Sequence, residues 1–418
     1  MTNDAGYHLT PKTSYIAFAK GADARIVAFF VCAAFLVTGG GCSTSVPADG
    51  LSRHNANVDS LLREIYSNDV SRQREAASAL GKMVSDGADI VPRLLKLLDE
   101  AEDSNDQHQI RMAMKALAFL GAYDLAPILD YANRVDWKKK KDVIFILRTI
   151  GDNRAVPFFI ECLKADYVDV RIHALLAISD IPDDRAFEPV LALLGDKHED
   201  KEVQIHAIDC LCAIRDSRAI PSLRTMYAQK PTGDMQSMLI GAIGEFGLHE
   251  YVDQLIELDK ALRNDDYLHE TIAGALGKIG DVKALGILSE GLLNSKMPSS
   301  GRLRYAVALN RIPDTRKADA GYQVWKDPRK DITDSDADLR TYAALIVANS
   351  SKPNFLEAAR WVLDHGSVPQ KAEVVKILGG RLHWNKMAIL RLLELAAKDS
   401  DEYVRSAAKY EISKFEYD

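Results

Sequence analysis

The chain has 418 residues, 47% of them hydrophobic, and a formal net charge of −7. It is too long for one ordinary compact core, so its apolar residues must be distributed over several layers or domains. The mildly acidic balance disfavours contact with a nucleic-acid backbone, which is bound by clustered positive charge.

The first apolar segment of the chain has the length of a signal sequence. Twelve apolar residues, Ile26–Val37, follow Lys20 and Arg25. This run is too short to span a bilayer comfortably, but it matches the hydrophobic part of a signal peptide. The sequence therefore predicts a signal peptide over residues 1–41.

A cysteine follows this segment directly, in the run Leu36-Val37-Thr38-Gly39-Gly40-Gly41-Cys42. Small residues before a cysteine resemble the lipobox of bacterial lipoproteins, although Gly39 stands where leucine is usual. The resemblance implies cleavage before Cys42, attachment of a diacylglycerol to its thiol and acylation of the new N-terminus. Several acyl chains anchor a protein stably. An ordinary secretory signal or a short membrane anchor is the alternative interpretation.

The residues after this cysteine are polar and contain proline and glycine. Residues 42–57 are therefore predicted to be a lipid attachment site and a flexible tether. The residue after the cysteine is Ser43 and not aspartate, and the resemblance then implies sorting to the outer membrane, facing the periplasm.

From about Asp69 to the C-terminus the sequence repeats about every 33 residues, and residues 58–418, with a leading helix at about Val58–Tyr66, are predicted to form one repeat domain. Apolar residues recur at i, i+3, i+4 and i+7, which places one apolar stripe on a helix. Many stripe positions hold alanine, which lets a neighbouring helix come close. The residues that end the first helix of each unit are Met83, Leu120, Ile150, Ile181, Ile214, Phe246, Ile279, Ile312, Ala348 and Leu378.

A turn and a second helix follow each stripe. In Gly151–Pro157 and Gly280–Ala284, glycine ends the first helix and the next aspartate is predicted to cap the second helix. Recurring prolines fit the first turn of the second helix, where a missing N–H costs little. One helix pair cannot bury both of its faces, whereas stacked pairs form a continuous core.

Three segments resemble a known repeat family. Asp169–Ala174 and Tyr403–Ala408 resemble the first-helix signature of HEAT repeats, and Ala275–Leu285 resembles the short HEAT-like class of the phycobilin lyases. The predicted fold class is all-α, a right-handed α-α superhelix of the HEAT/armadillo type with about ten helix-pair repeats. The resemblance implies convex first helices and a concave, ligand-binding surface of second helices.

Residues capable of metal or redox chemistry are interpreted as structural. Cys162, Cys210 and Cys212 are expected to be small core residues, and His173 and His206 to be half-exposed neighbours. His269-Glu270 resembles one iron-binding helix of the deoxyhypusine hydroxylases, but a single pair cannot build a two-iron site. No catalytic residue, metal or cofactor is predicted.

Two charged runs are also interpreted as helix starts. Asp334, Asp336 and Asp338 resemble the opening of a calcium loop, but the sixth position is Leu339 instead of glycine, so the predicted role is to cap a helix starting near Leu339. Lys138–Lys141 is interpreted as a solvated helix start, with a local contact to an acidic partner as the alternative.

The predicted function is that of a non-catalytic, lipid-anchored scaffold that binds protein partners in the bacterial cell envelope, with no small-molecule substrate. Aromatic residues dominate interface hot spots, so Trp325, Trp361 and Trp384 are candidate partner contacts, with core filling as the default role. The alternatives are a phycobilin lyase-like chromophore attachment factor and a HEAT-like DNA glycosylase. A lipobox argues against the first, because those lyases are cytoplasmic, and the acidic charge argues against the second.

Overall fold

The computed structural model describes residues 90–414 except 263–265, 327–333, 351 and 382–384, together with residues 60, 61, 64, 72, 75, 76, 79–81 and 83. The regular structure of this part of the chain is entirely helical, which confirms the predicted all-α fold class. The predicted signal peptide, Cys42 and the tether lie outside the described residues. The chain divides into two compact units, Met1–Asp216 and Ser217–Asp418.

The first unit alternates second helices with first helices. Its described helices are α1 (Ile90–Asp103), α2 (Gln107–Leu120), α3 (Ala126–Arg134), α4 (Trp137–Ile150), α5 (Val156–Cys162), α6 (Val168–Asp180), α7 (Phe187–Gly195) and α8 (Lys201–Ile214). The first helices α2, α4, α6 and α8 pack each on the next, and the second helices α1, α3 and α5 do the same.

The second unit continues the same alternation. Its helices are α9 (Ile220–Ala228), α10 (Gly233–Glu245), α11 (Val252–Ala261), α12 (Asp266–Ile279), α13 (Leu285–Leu293), α14 (Ser299–Arg311), α15 (Lys317–Trp325), α16 (Asp334–Ala348), α17 (Phe355–His365), α18 (Val368–Gly379), α19 (Lys386–Ala396) and α20 (Glu402–Ser413). The first helices α10, α12, α14, α16, α18 and α20 again form a continuous stack.

The predicted helix ends agree closely with the structure. Helices α2, α4 and α8 end at the predicted residues Leu120, Ile150 and Ile214, and α6 ends one residue before the predicted Ile181. Gly151 and Gly280 both have φ of +74°, the left-handed conformation that stops a helix and that glycine adopts at little steric cost.

Small residues bring successive first helices into close contact, as the stripe pattern predicts. A Cβ atom added to Gly277 on α12 would lie 2.6 Å from Ala308 Cα on α14, and one added to Gly244 on α10 would lie 2.6 Å from Ala275 Cα on α12. Real Cβ atoms do not approach backbone this closely, so these contacts require the absence of a side chain.

The predicted capping role of the turn aspartates is wrong in detail. Asp152 and Asp183 accept hydrogen bonds from the backbone N–H two residues later, and each caps a single 3-10 turn that leads into the second helix. The second helix itself begins without a side-chain cap, for example after Ala155. The 3-10 turn supplies carbonyl acceptors for the first N–H groups of the second helix, as the hydrogen bond from Val156 N–H to Asn153 O shows.

The predicted helix start near Leu339 is also wrong. Helix α16 begins at Asp334, before the first buried residue of its stripe, Leu339. An apolar stripe marks where a helix becomes buried, and a helix can begin before its stripe.

The fourth residue of several first helices binds backbone carbonyl groups of the chain segment that precedes the helix. Arg171 donates to Ala165 O at 2.6 Å, and Arg302 donates to Leu292 O at 2.8 Å. Arg405 donates likewise to the carbonyl oxygens before α20. Leu292 O lies in the last turn of its helix, where a cation compensates the helix dipole, whereas Ala165, Asp399 and Ser400 lie in the connections between a second helix and the next first helix. This contact gives a physical reason for the arginine in both HEAT-like segments.

We predict that Gly277→Ala destabilises the protein although it replaces glycine inside a helix. Overpacking against the backbone of Ala308 should lower the free energy of unfolding by about 1–3 kcal/mol. Gly274, three residues earlier on the same helix, has no atom within 4 Å of an added Cβ. Gly274→Ala should therefore stabilise by about 0.5–1 kcal/mol through helix propensity. Denaturant unfolding of both variants measures the difference, and equal effects would refute the close contact.

Candidate functional site

The second helices of the first unit border an open groove of about 610 Å³. Its lining comes from α1, from α3 and the residues after it, and from the start of α4. The residues are Pro92, Leu95, Lys96, Asp99, Pro127, Asp130, Tyr131, Arg134, Val135, Asp136 and Lys139. Apolar side chains and prolines alternate with charged ones in this lining. Such a mixed surface is typical of contact with a protein ligand and less suited to a purely apolar small molecule.

Lys139 stands at one end of this groove among acidic side chains. Its Nζ atom lies 2.6 Å from Asp99, 3.0 Å from Glu102 and 3.6 Å from Asp103. Burial lowers the pKa of Lys139, but hydrogen bonds to Asp99 and Glu102 outweigh burial and raise it overall. The ammonium is therefore firmly charged and holds the ends of α1 and α4 together.

Asp99 also accepts a hydrogen bond of 2.8 Å from the hydroxyl of Tyr131. Burial raises the pKa of the Tyr131 phenol, and Asp99 raises it further. Tyr131 therefore remains a neutral donor at physiological pH, so the groove floor keeps its aromatic ring in place beside the charged cluster.

The interpretation of Lys138–Lys141 as a solvated helix start is wrong for two of its residues. Lys139 is engaged as described, and Lys140 is only 8% exposed. The Lys140 Nζ atom lies 4.0 Å from the centre of the Trp137 ring and 5.4 Å from that of Phe158. Cation–π contact with aromatic faces compensates a buried ammonium, and the acidic contact of this run is made within the chain.

The candidate partner contacts of the second unit form an aromatic cluster. Trp325 on α15 is 4% exposed and meets Trp361 on α17 edge to face, with ring centroids 6.5 Å apart. Trp361 stacks on the exposed His365 at 4.1 Å, and Tyr322 packs against Trp325. Core packing thus engages Trp325 and Trp361, while Tyr322 and His365 present the cluster to solvent. Contact with a partner stays a prediction, and Trp384 lies outside the described residues.

A buried polar network in the second unit was not predicted. The Asp259 carboxylate on α11 is 5% exposed, and its Oδ1 lies 2.8 Å from His269 Nδ1 on α12 and 3.2 Å from the hydroxyl of Tyr305 on α14. Burial raises the pKa of Tyr305, and the charge of Asp259 raises it further, so the phenol stays protonated and donates to the carboxylate. Gly291 makes room for the ring, because a Cβ there would lie 2.2 Å from Tyr305 Cδ1.

A comparison of repeat positions could have revealed this network. Asp259 is the eighth residue of its second helix, where buried apolar residues stand in other units. Those equivalents are Leu194, Leu292, Val362 and Leu393. His269 is the fourth residue of its first helix, the position of Arg171 and Arg302, so its contact with the preceding second helix follows the general pattern of the repeat.

The remaining residues of chemical interest lie as expected. Cys162, Cys210 and Cys212 are buried and unbridged, and burial raises the pKa of Cys162 and of Cys210 to about 12, which makes both thiols inert. His173 and His206 are half-buried.

The described residues contain neither a metal-binding cluster nor a helix suited to cross a membrane. Among them, no three His, Cys, Asp or Glu side chains come together in a way that could hold a metal ion. No helix in the same part of the chain combines the length and apolarity needed to cross a membrane.

Comparison with known proteins identifies the fold. Residues 156–234 match the protein family described as HEAT repeats. A crystal structure of importin beta, determined in a polyethylene glycol condition, superposes with a TM-score of 0.52 at 12% identity, over 84% of this chain and 58% of that chain. No curated protein matches the chain. The fold and these matches define an α-solenoid of HEAT-type repeats, as the sequence predicts.

Two further solved structures show a weaker similarity to the chain. The complex of CpcE and CpcF of phycocyanin lyase from Nostoc sp. PCC7120 has a TM-score of 0.35 at 18% identity, over 74% of this chain and 99% of that chain. Human deoxyhypusine hydroxylase in complex with glycerol has a TM-score of 0.28 at 17% identity, over 72% and 99%. Neither similarity is close enough to assign an activity to this chain.

We predict that Tyr305→Phe destabilises the second unit. The variant keeps the ring but removes a donor to a buried carboxylate, which should lower the free energy of unfolding by about 1.5–3 kcal/mol. Tyr322→Phe, at an exposed tyrosine on α15, is the matched control and should stay within about 0.5 kcal/mol of the unaltered protein. Thermal or denaturant unfolding provides the measurement, and indistinguishable variants would exclude a stabilising network.

Proposed function

We propose that the protein is a non-catalytic scaffold of the bacterial cell envelope, anchored by lipid at Cys42, that binds protein partners on its second-helix face. This face is the exposed side of the second helices in each unit. The open groove along α1 and α3 carries the proposal, because its mixed apolar and charged lining resembles a protein interface more than an enclosed substrate pocket.

Exposed apolar side chains on other second helices support the same role. Leu97 on α1, Leu293 on α13, Tyr322 on α15 and Met387 on α19 are exposed. Exposed large apolar residues are common singly, but on the second helices they recur beside charged residues that can form a polar rim. A solenoid offers such positions at every repeat, so a partner can be held over a long surface.

The anchor is supported by the sequence around Ile26–Val37 and Cys42. Acyl chains at Cys42 would hold the solenoid at the outer membrane, facing the periplasm, with residues 43–57 as the tether. Restriction to a membrane surface raises the effective concentration of a partner on the same membrane, so a modest affinity for each contact is sufficient.

We expect Cys42→Ala to abolish labelling by a palmitate analogue and to release the protein from membranes, because the acylated thiol is removed. Cys32→Ala, within the apolar run, is the control and should keep both properties. Metabolic labelling and membrane fractionation in the native host give the readout. Unchanged labelling of the Cys42 variant would refute the lipid anchor.

We expect partner contacts to come from second helices. A photoreactive amino acid placed at Leu97 or Met387 should crosslink a partner in native membranes, followed by pull-down and identification. Phe145 on α4 and Tyr403 on α20 are first-helix positions of similar exposure and serve as controls. Crosslinks formed only from Phe145 and Tyr403 would place the partner on the opposite face and contradict the proposal.

A further inference from the structure

One helical stripe of α1 runs along the groove and continues beyond it. Pro92, Leu95, Lys96 and Asp99 line the groove at the spacing i, i+3, i+4 and i+7. The next positions of this stripe, Glu102 and Asp103, extend it by one further turn to the side chain of Lys139. The groove therefore ends in three carboxylates from one helix, which we call the acidic end.

The acidic end carries more negative than positive charge. Lys139 is the cation that contacts all three carboxylates. The other basic side chains of the groove are paired within their own helices, since Lys96 lies 3.7 Å from Glu100 and Arg134 lies 2.7 Å from Asp130. Three carboxylates therefore face this one ammonium, an excess of two negative charges among these four side chains.

Glu102 shows that this charge is incompletely compensated within the chain. Its side chain is 9% exposed, and its buried Oε1 atom has no hydrogen-bond donor. Burial raises the pKa of Glu102 even though Lys139 acts to lower it. The buried charge of Glu102 adds to the negative potential at the neighbouring Asp99 and Asp103, whose side chains are 42% and 78% exposed and can be reached by a cation of a partner.

We propose that the groove binds an arginine-bearing extended segment of the partner, with the guanidinium group at the exposed carboxylates of Asp99 and Asp103 and apolar neighbours on the groove floor. This inference rests on the proposed scaffold function and specifies its ligand. A guanidinium group has five donors in a planar fork, which matches two carboxylates better than an ammonium does. Prolines and apolar side chains at Pro92, Leu95, Pro127 and Val135 accommodate the adjacent residues.

The test uses the full mature protein purified in detergent and fluorescent peptides of about a dozen residues, which match the size class of groove ligands. One peptide carries arginine between leucine and proline residues. Its partner peptide replaces each arginine with citrulline, which keeps the shape and removes the charge. Fluorescence anisotropy should show binding of the arginine peptide about tenfold tighter, the effect of one charge-assisted contact, and the difference should shrink at high salt.

Two variants locate the binding. Asp103 is 78% exposed, so Asp103→Asn leaves folding intact and should weaken the arginine peptide severalfold. Glu102→Gln should weaken it as well, with circular dichroism as the check on folding. Glu257→Gln, at an exposed acid on α11 paired only with Lys260 in its own helix, is the matched control and should not change the affinity.

Equal affinity for the arginine and citrulline peptides, or full affinity in the Asp103→Asn variant, would overturn the inference. If the arginine peptide binds only after Arg53→Gln in the tether, the occupant is the chain's own segment and not a partner. If a partner crosslinks from Leu97 or Met387 but the arginine and citrulline peptides bind equally, the arginine site in the groove is refuted and the scaffold function stands.

If the arginine peptide binds selectively but no partner crosslinks from the second helices, the arginine site stands and partner binding along the whole second-helix face is refuted.

Discussion

Close approach of neighbouring first helices is the constraint on which the other features of each unit depend. At Gly244 and Gly277 even a methyl group would overlap the backbone of the next first helix. Each helix pair has two apolar sides, and its stability comes from the pairs before and after it. Once first helices are held at this short distance, the second helices follow at regular intervals. Their outward side chains are then free to form surfaces such as the groove along α1 and α3.

Directional polar contacts complement this packing. The apolar stripe is similar in every unit, so the stripe alone does not determine the order in which the helix pairs pack on one another. Arg302 binds a carbonyl oxygen in the last turn of the preceding second helix, and Arg171 and Arg405 bind carbonyl oxygens in the connection before their own first helix. These contacts constrain how a first helix follows a second helix, and they give partners to carbonyl groups that helical hydrogen bonds do not reach.

The sequence predicted the local structure well because its strongest signals are local. Stripe spacing and left-handed glycines such as Gly151 located helix ends to within about one residue. The turn aspartates were recognised, but an apolar pattern does not distinguish a 3-10 turn from the helix that follows it. The start of α16 was misplaced for the related reason that the residues before its apolar stripe carry no helical periodicity.

The candidate sites were predicted less well, because their contacts join residues that are distant in the sequence. Lys139 meets Asp99 across 40 residues, and Tyr305 meets Asp259 across 46. From the sequence, a run of four lysines is expected to be solvated. Only the structure shows that the acidic end of α1 lies beside it. Trp325 was singled out for its residue type, whereas its burial against Trp361 depends on the packing of two second helices.

The buried network of Asp259, His269 and Tyr305 has a consequence for folding. Units of about 33 residues with interchangeable stripes can associate out of step, with one helix pair skipped. Helices equivalent to α14 carry Ala174, Ala207 or Ile272 where α14 carries Tyr305. In a slipped arrangement the Asp259 carboxylate would therefore be buried among aliphatic side chains, without the Tyr305 hydroxyl that donates a hydrogen bond to it. One charged side chain thus marks a single correct alignment in an array that is otherwise nearly self-similar.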